Sequence, residues 1–93
     1  MSEYTIVAVA TPLGEGGIGI VRLSGPDAVT IANQMFYRKD GQKLKDLPTN
    51  QLRYGKVVDP KSGRTLDEAL AVVMRAPHSY TAEDVVEIQC HGG

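Results

Sequence analysis

The glycine-rich segment at residues 14–19 constrains the fold most, because it lies between two runs that both resemble β-strands. It reads GEGGIG and matches the pattern G-x-G-x-x-G shortly after the strand-like run 4–10. In a dinucleotide-binding fold the third glycine opens a helix whose N-terminal amides hold a pyrophosphate. Here residues 20–24 follow as IVRLS, an alternating β-branched run typical of a strand. The sequence therefore predicts strand, glycine loop, strand, and argues against a dinucleotide site.

The rest of the chain predicts one main helix and three further strands, in the order ββαβββ. Ser24 is the expected N-cap of the helix, with Asp27 as its capping-box partner and Pro26 in the first turn. Apolar residues at three- and four-residue spacing predict a buried helix face that ends near Phe36 or Tyr37. Strands are expected at 51–58, 66–75 and 85–90, loops at 38–50 and 76–81, and a turn at 59–63. This order indicates an α+β domain with a small mixed or antiparallel sheet.

Composition excludes several classes of function. The 10 basic and 11 acidic residues give a net charge of −1, so the chain lacks the basic excess of a nucleic-acid-binding surface. The basic residues within 38–45 are accordingly predicted to be a solvated loop. A single cysteine excludes an internal disulfide, and no targeting or membrane segment is visible, so a cytoplasmic location is expected. The final strand runs into Gly92-Gly93 and stops, which suggests a domain that is incomplete at its C-terminus.

Candidates for catalysis are few. Cys90 and His91 are neighbours in or beside a predicted strand, so their side chains point to opposite faces and cannot form a Cys–His dyad. His78 is the other histidine, and no set of three or four ligands has the spacing of a metal site. We therefore expect no catalytic residue and no metal site in these residues, and a structural role for Cys90.

Two charged residues stand out because each lies among apolar residues of a predicted strand. Arg22 is in the run GIVRL, and Glu87 is in the run DVVEI. One interpretation is that strand alternation simply turns both side chains toward solvent. The other is a binding site, in which Glu87 meets a flat heterocycle with adjacent N–H donors and Arg22 meets an acidic group of the same ligand. The pattern alone leaves both open.

Two longer blocks carry a resemblance to a known family. Residues 10–26 (ATPLGEGGIGIVRLSGP) and 74–93 (MRAPHSYTAEDVVEIQCHGG) resemble the two N-terminal signatures of the MnmE family, also called TrmE, the tRNA modification GTPases. Residues 52–55 and 57–59 fit the spacing between them. The resemblance covers the whole chain and implies that 1–93 is a folate-binding, dimerising N-terminal domain, from which the helical and GTPase domains of the full protein are absent.

The resemblance carries further implications for fold, ligand and partners. The fold would be similar to the tetrahydrofolate-binding part of the glycine-cleavage T protein. The domain would form a homodimer and bind 5-formyl-tetrahydrofolate or another one-carbon tetrahydrofolate. The complete family member has a Ras-like GTPase domain that uses GTP, Mg²⁺ and K⁺. With an FAD-dependent partner of the MnmG (GidA) family, it modifies C5 of the wobble uridine in tRNA.

Carried over residue by residue, the family's folate-contacting arginine and glutamate fall on Arg22 and Glu87. The glycines at 14, 16 and 17 either let backbone approach the ligand or a second subunit, or only provide a tight connection. The chain contains no G-x-x-x-x-G-K-[ST] phosphate loop, so these 93 residues alone are not expected to hydrolyse GTP. An alternative is a dimerisation scaffold in which this part of the protein binds no ligand.

Overall fold

A single antiparallel sheet organises the protein. The computed structural model describes residues 4–9, 19–76 and 83–90. Within these ranges six strands lie in the order β1-β2-β6-β5-β4-β3, and every neighbouring pair is antiparallel. The strands and the helix are β1 (Ile6–Val9), β2 (Gly19–Ser24), α1 (Ala28–Asn33), β3 (Phe36–Tyr37), β4 (Arg53–Val58), β5 (Thr65–Met74) and β6 (Val85–Cys90). The predicted α+β class with one main helix is confirmed.

The last strand of the chain lies inside the sheet and not at its edge. β6 pairs with β2 on one side and with β5 on the other, so both of its hydrogen-bonding edges are occupied. Its residues 85–88 are all buried, as expected for a β-branched run that has neighbours on both sides. The bounds predicted for this strand, 85–90, are confirmed.

The hydrophobic core lies between the sheet and α1. Alternation along the strands turns one set of side chains toward the helix, where two buried alanines, Ala28 and Ala32, allow close packing. Burial of each valine or leucine on this face contributes about 1.5–3 kcal/mol relative to exposure. The sheet residues of this core include Leu23, Ala69, Ala71, Val73, Val86 and Ile88.

The helix is shorter than predicted at both ends. Ser24 is the last residue of β2 and not an N-cap; the N-cap position is Asp27, which makes no side-chain capping hydrogen bond. The Asp27 amide donates instead to Thr5 Oγ1, 2.9 Å away. The capping-box prediction was wrong because S-G-P-D also fits the turn that connects a strand to a helix.

The other end of the helix shows why its periodicity was misleading. α1 ends at Asn33, and Phe36–Tyr37 forms the two-residue strand β3 against β4. The Val58 amide donates to the Met35 carbonyl, which ties the end of β4 to the residue before β3. The Phe36 ring lies over Gly55, where a Cβ atom would be 2.4 Å from the Phe36 Cζ. Phe36 is therefore buried, as predicted, but it belongs to a strand and not to the helix.

The segment 38–50 is irregular, as predicted, yet it contains part of the core. A 3-10 turn at Leu44–Asp46 buries Leu44, and Leu47 is buried directly after it. Arg75, the residue that follows β5, holds this segment by donating to the Leu47 carbonyl at 2.8 Å and the Lys45 carbonyl at 2.9 Å. The lysines of this segment are exposed, in agreement with a solvated loop. Among the described helices, none has the length and apolar composition needed to cross a membrane.

Candidate functional site

The face of the sheet that points away from α1 carries the charged residues singled out above. We call it the open face, because no helix that the structure describes packs on it. Strand register assigns its central part to nine residues in three rows across β2, β6 and β5. These rows are Ser24–Val85–Met74, Arg22–Glu87–Val72 and Ile20–Gln89–Leu70.

Arg22 and Glu87 face each other in the middle row and form an ion pair. The Arg22 Nε donates to Glu87 Oε2 at 2.8 Å, and Nη2 donates to the same oxygen. The Glu87 side chain is only 10% exposed, whereas the Arg22 side chain is 36% exposed. A buried carboxylate is costly unless it is paired with donors. Arg22 therefore offsets part of the cost of burying Glu87.

The second oxygen of the Glu87 carboxylate accepts no hydrogen bond within the described part of the chain. Both bonds from Arg22 end on Oε2, and Glu87 has no other polar partner there. A carboxylate has about four lone-pair sites in total. An acceptor with remaining capacity, nine-tenths buried on a sheet face, is suited to a ligand that presents N–H groups.

Apolar side chains surround this carboxylate. Val72 lies beside Glu87 on β5 and is 9% exposed, and Val85 precedes it in the same column of β6 and is fully buried. Leu70, in the next row, is 40% exposed. Charged hydrogen bonds are stronger next to apolar groups, because water competes less for the donors. The surroundings therefore suit a flat ring with a polar edge.

The beginning of β6 is fixed to the end of β2 by contacts that sequence analysis did not foresee. The Ser24 hydroxyl donates to Glu83 Oε2 at 3.3 Å. The Gly25 amide donates to the Asp84 carbonyl, and the Asp84 carboxylate accepts from the Ala76 amide, both at 2.9 Å. The bonds of Ser24 and Gly25 hold residues 83 and 84 beside the end of β2, in line with the register that places Glu87 opposite Arg22. The Ala76 bond ties Asp84 to the segment after β5. Finding them from sequence would require knowing that β2 and β6 are neighbours.

The remaining sequence candidates give no second site. Cys90 is the last residue of β6 and packs at the edge of the core on the helix-facing side. Burial raises the pKa of its thiol, and the negative charge of Asp67 raises it further. A neutral, partly buried thiol fits the predicted structural role. His78 and His91 lie outside the described residues, and the described ranges contain no group of three residues able to hold a metal ion.

The dinucleotide interpretation is excluded at the one glycine of the motif that the structure describes. Gly19 opens strand β2, whereas the dinucleotide motif requires a helix at that point. This agrees with the prediction. The glycines at 14, 16 and 17 and the loop proposed at 76–81, apart from Ala76, lie outside the described residues.

Fold and site together define a small α+β module with a buried carboxylate on the face of an antiparallel sheet that lies opposite its helix. The family model described as "GTP-binding protein TrmE N-terminus" matches residues 5–93. The chain belongs to this family. The resemblance stated from the two sequence blocks is thereby confirmed.

Individual relatives agree with this assignment. The chain is 56% identical over 94 residues to the tRNA modification GTPase MnmE of Geobacillus thermodenitrificans, and 57% identical over 93 residues to that of Carboxydothermus hydrogenoformans. The MnmE of Lactobacillus acidophilus is 53% identical over 94 residues. Each match covers 100% of this chain and 20% of the relative. The chain thus spans about a fifth of the length of these relatives.

Proposed function

We propose that this chain is the tetrahydrofolate-binding and homodimerising N-terminal part of a GTPase that modifies tRNA. The observation that carries the proposal is the Glu87 carboxylate, which is buried on the open face, paired with Arg22 on one oxygen and able to accept on the other. The names of the relatives support the tRNA-modifying context. The ligand is a one-carbon tetrahydrofolate such as the 5-formyl form.

The chemistry of the carboxylate supports a pterin ring. A reduced pterin presents an N3–H and a 2-amino group side by side, which gives two parallel N–H donors. Two lone-pair sites of the Glu87 carboxylate remain on the oxygen that Arg22 does not contact. This oxygen can accept both N–H groups, and its charge strengthens both hydrogen bonds. Val72 and Leu70 provide apolar surface beside the ring. In this arrangement Arg22 keeps the carboxylate oriented while Glu87 holds the ring.

The rest of the activity is assigned to parts of the protein outside this chain. GTP, Mg²⁺ and K⁺ would be bound by a GTPase domain, since residues 1–93 contain no phosphate loop. An FAD-dependent partner of the MnmG family would act with the complete protein on C5 of the wobble uridine. The bound folate would supply the one-carbon unit for that reaction.

The proposal predicts that Glu87→Gln weakens folate binding about a hundredfold. The change keeps the size of the side chain but removes its charge and replaces one acceptor with a donor, so the ring loses its charge-assisted pair of hydrogen bonds. The measurement is a calorimetric titration of 5-formyl-tetrahydrofolate into the full-length protein, with and without the substitution.

Glu68→Gln is the matched control. Glu68 lies on the same open face but is exposed and accepts a hydrogen bond from the Tyr54 hydroxyl at 2.7 Å. Its replacement should leave the dissociation constant unchanged. Equal affinities for the wild type and Glu87→Gln would remove Glu87 from the binding site.

Dimerisation without a ligand is the second candidate function, and the exposed apolar residues of the open face favour it. Ile6 is 59% exposed, and Tyr37 and Tyr54 are each 53% exposed. Ile6 lies on the edge strand β1, and the two tyrosines lie near the other edge on β3 and β4. Exposed apolar side chains near both edges of one face can contribute to a protein interface. The scaffold alternative predicts self-association in sedimentation and no heat in the folate titration. The main proposal predicts self-association together with saturable folate binding.

A further inference from the structure

Gln89 occupies the same column of the open face as Glu87. The two residues are separated by one position on β6, so their side chains point the same way and their Cα atoms are about 6.7 Å apart. Register places Gln89 between Ile20 on β2 and Leu70 on β5. The residue is half-buried. Its amide is thus presented next to the carboxylate, between two apolar side chains.

The Gln89 side chain makes no hydrogen bond in the part of the chain that the structure describes. Gln51, by comparison, accepts a hydrogen bond from Arg53. A glutamine amide provides two N–H donors and one acceptor oxygen. Gln89 is partly exposed beside Leu70, which is 40% exposed, so its amide is accessible and can donate to a ligand that lies on this face.

The order of groups along the edge of a pterin matches the order of side chains along β6. The 2-amino group and N3–H come first, and the 4-oxo oxygen comes next on the same edge. A carboxylate suits the first two because they are donors, and an amide N–H suits the third because it is an acceptor. Glu87 and Gln89 have side chains of equal length, so both can reach one planar edge from the same strand.

We propose that Gln89 is the specificity-determining residue for the 4-oxo group of the ring, and donates an amide N–H to that oxygen while Glu87 accepts from N3–H and the 2-amino group. This inference rests on the proposed folate-binding function. It goes further by naming the atom that Gln89 contacts. The site then selects a 2-amino-4-oxo pyrimidine edge. A ring with an N–H donor at position 4 would place that donor against the amide N–H of Gln89, and no hydrogen bond could form.

Two substitutions of Gln89 separate a hydrogen-bonding role from a packing role. Gln89→Met keeps the length and removes the donor, so the dissociation constant of 5-formyl-tetrahydrofolate should rise about fivefold. Gln89→Glu places an acceptor against the 4-oxo oxygen, so the constant should rise about a hundredfold at pH 8. Lowering the pH protonates the new carboxyl group and restores an O–H donor. The ratio of the Gln89→Glu constant to that of the wild type should therefore fall toward pH 5, while the ratio for Gln89→Met stays level.

Infrared spectroscopy gives a direct readout of the contact. With ¹³C at position 4 of the ligand, the carbonyl stretch of the bound form should move to higher frequency in Gln89→Met than in the wild type, because the hydrogen bond is lost. Gln42→Glu is the matched control, since Gln42 lies on an exposed loop and its replacement should change neither binding nor the spectrum. All measurements use the full-length protein.

The outcomes distinguish this inference from the function on which it rests. If the wild type binds the folate but neither Gln89 variant changes the affinity or the carbonyl band, Gln89 does not contact the 4-oxo group and the inference is overturned. If the wild type itself gives no saturable binding, the proposed function fails first. Loss of affinity in both variants with a level pH ratio for Gln89→Glu would assign Gln89 a packing role and also overturn the inference.

Discussion

Gly25→Ala is expected to lower the free energy of unfolding by about 4 kcal/mol, the largest effect of any change considered for this fold. Gly25 has a φ of 138°, where a side chain is strained, and this strain alone costs about 1–3 kcal/mol. A Cβ atom would also lie 2.6 Å from the Tyr4 carbonyl oxygen and 2.7 Å from the Thr5 Cα. Both contacts are with backbone, so relief requires β1 to move away from β2. Urea denaturation followed by circular dichroism measures the loss.

Gly63→Ala is the matched control for this prediction. Gly63 has a φ of 76°, but a Cβ atom there would meet nothing within 4 Å. Its replacement should cost only the conformational strain, about 1–2 kcal/mol. Similar losses of unfolding free energy in the two variants would contradict the close contact of residues 4 and 5 with Gly25.

Arg22→Met is expected to lower the free energy of unfolding by about 3 kcal/mol. Removing the guanidinium leaves the Glu87 carboxylate, 7% exposed, without its ion-pair partner, and breaking a buried pair from one side typically costs this much. The methionine replaces most of the aliphatic stem of the arginine, so little of the loss comes from packing. Urea denaturation at neutral pH measures it.

The double variant Arg22→Met with Glu87→Met identifies the cause. Replacing both partners removes the unpaired charge, so the double variant should recover most of the stability that the single change loses. Arg38→Met provides a comparison, because Arg38 pairs with the exposed Asp40 and the loss there should be much smaller. A double variant less stable than Arg22→Met alone would contradict a dominant role for the buried charge.

Local sequence patterns predicted the strands of this protein well and its helix poorly. Sequence patterns predicted a strand at 85–90 and another at 20–24. Both segments are strands in the structure. The helical spacing of apolar residues continued through Phe36, although the helix ends at Asn33. The chain switches to a strand there because the Phe36 ring packs over Gly55, which is distant in sequence. Local periodicity contains no information about such a contact.

The candidate site shows the same division between local and distant information. Alternation and charge were sufficient to single out Arg22 and Glu87. They did not reveal that the two residues face each other, because this depends on β2 and β6 being neighbours with a defined register. One interpretation of the sequence had Arg22 meet an acidic group of a ligand. The structure pairs Arg22 with Glu87, and its contact with a ligand stays a prediction. Gln89 was overlooked because a single uncharged polar residue near the end of a strand gives no signal until its face of the sheet is known.

Methyl NMR spectroscopy of the full-length protein, titrated with 5-formyl-tetrahydrofolate, tests the binding of a folate on the open face most directly. Ring currents of a bound pterin act on nearby methyl groups, so the resonances of Ile20, Leu70 and Val72 should shift with saturable dependence on ligand. Those of Val86 and Ile88, on the helix-facing side of β6, should stay close to their positions in the free protein. Shifts confined to the helix-facing methyl groups, or no saturable shift at all, would contradict a folate site at Glu87.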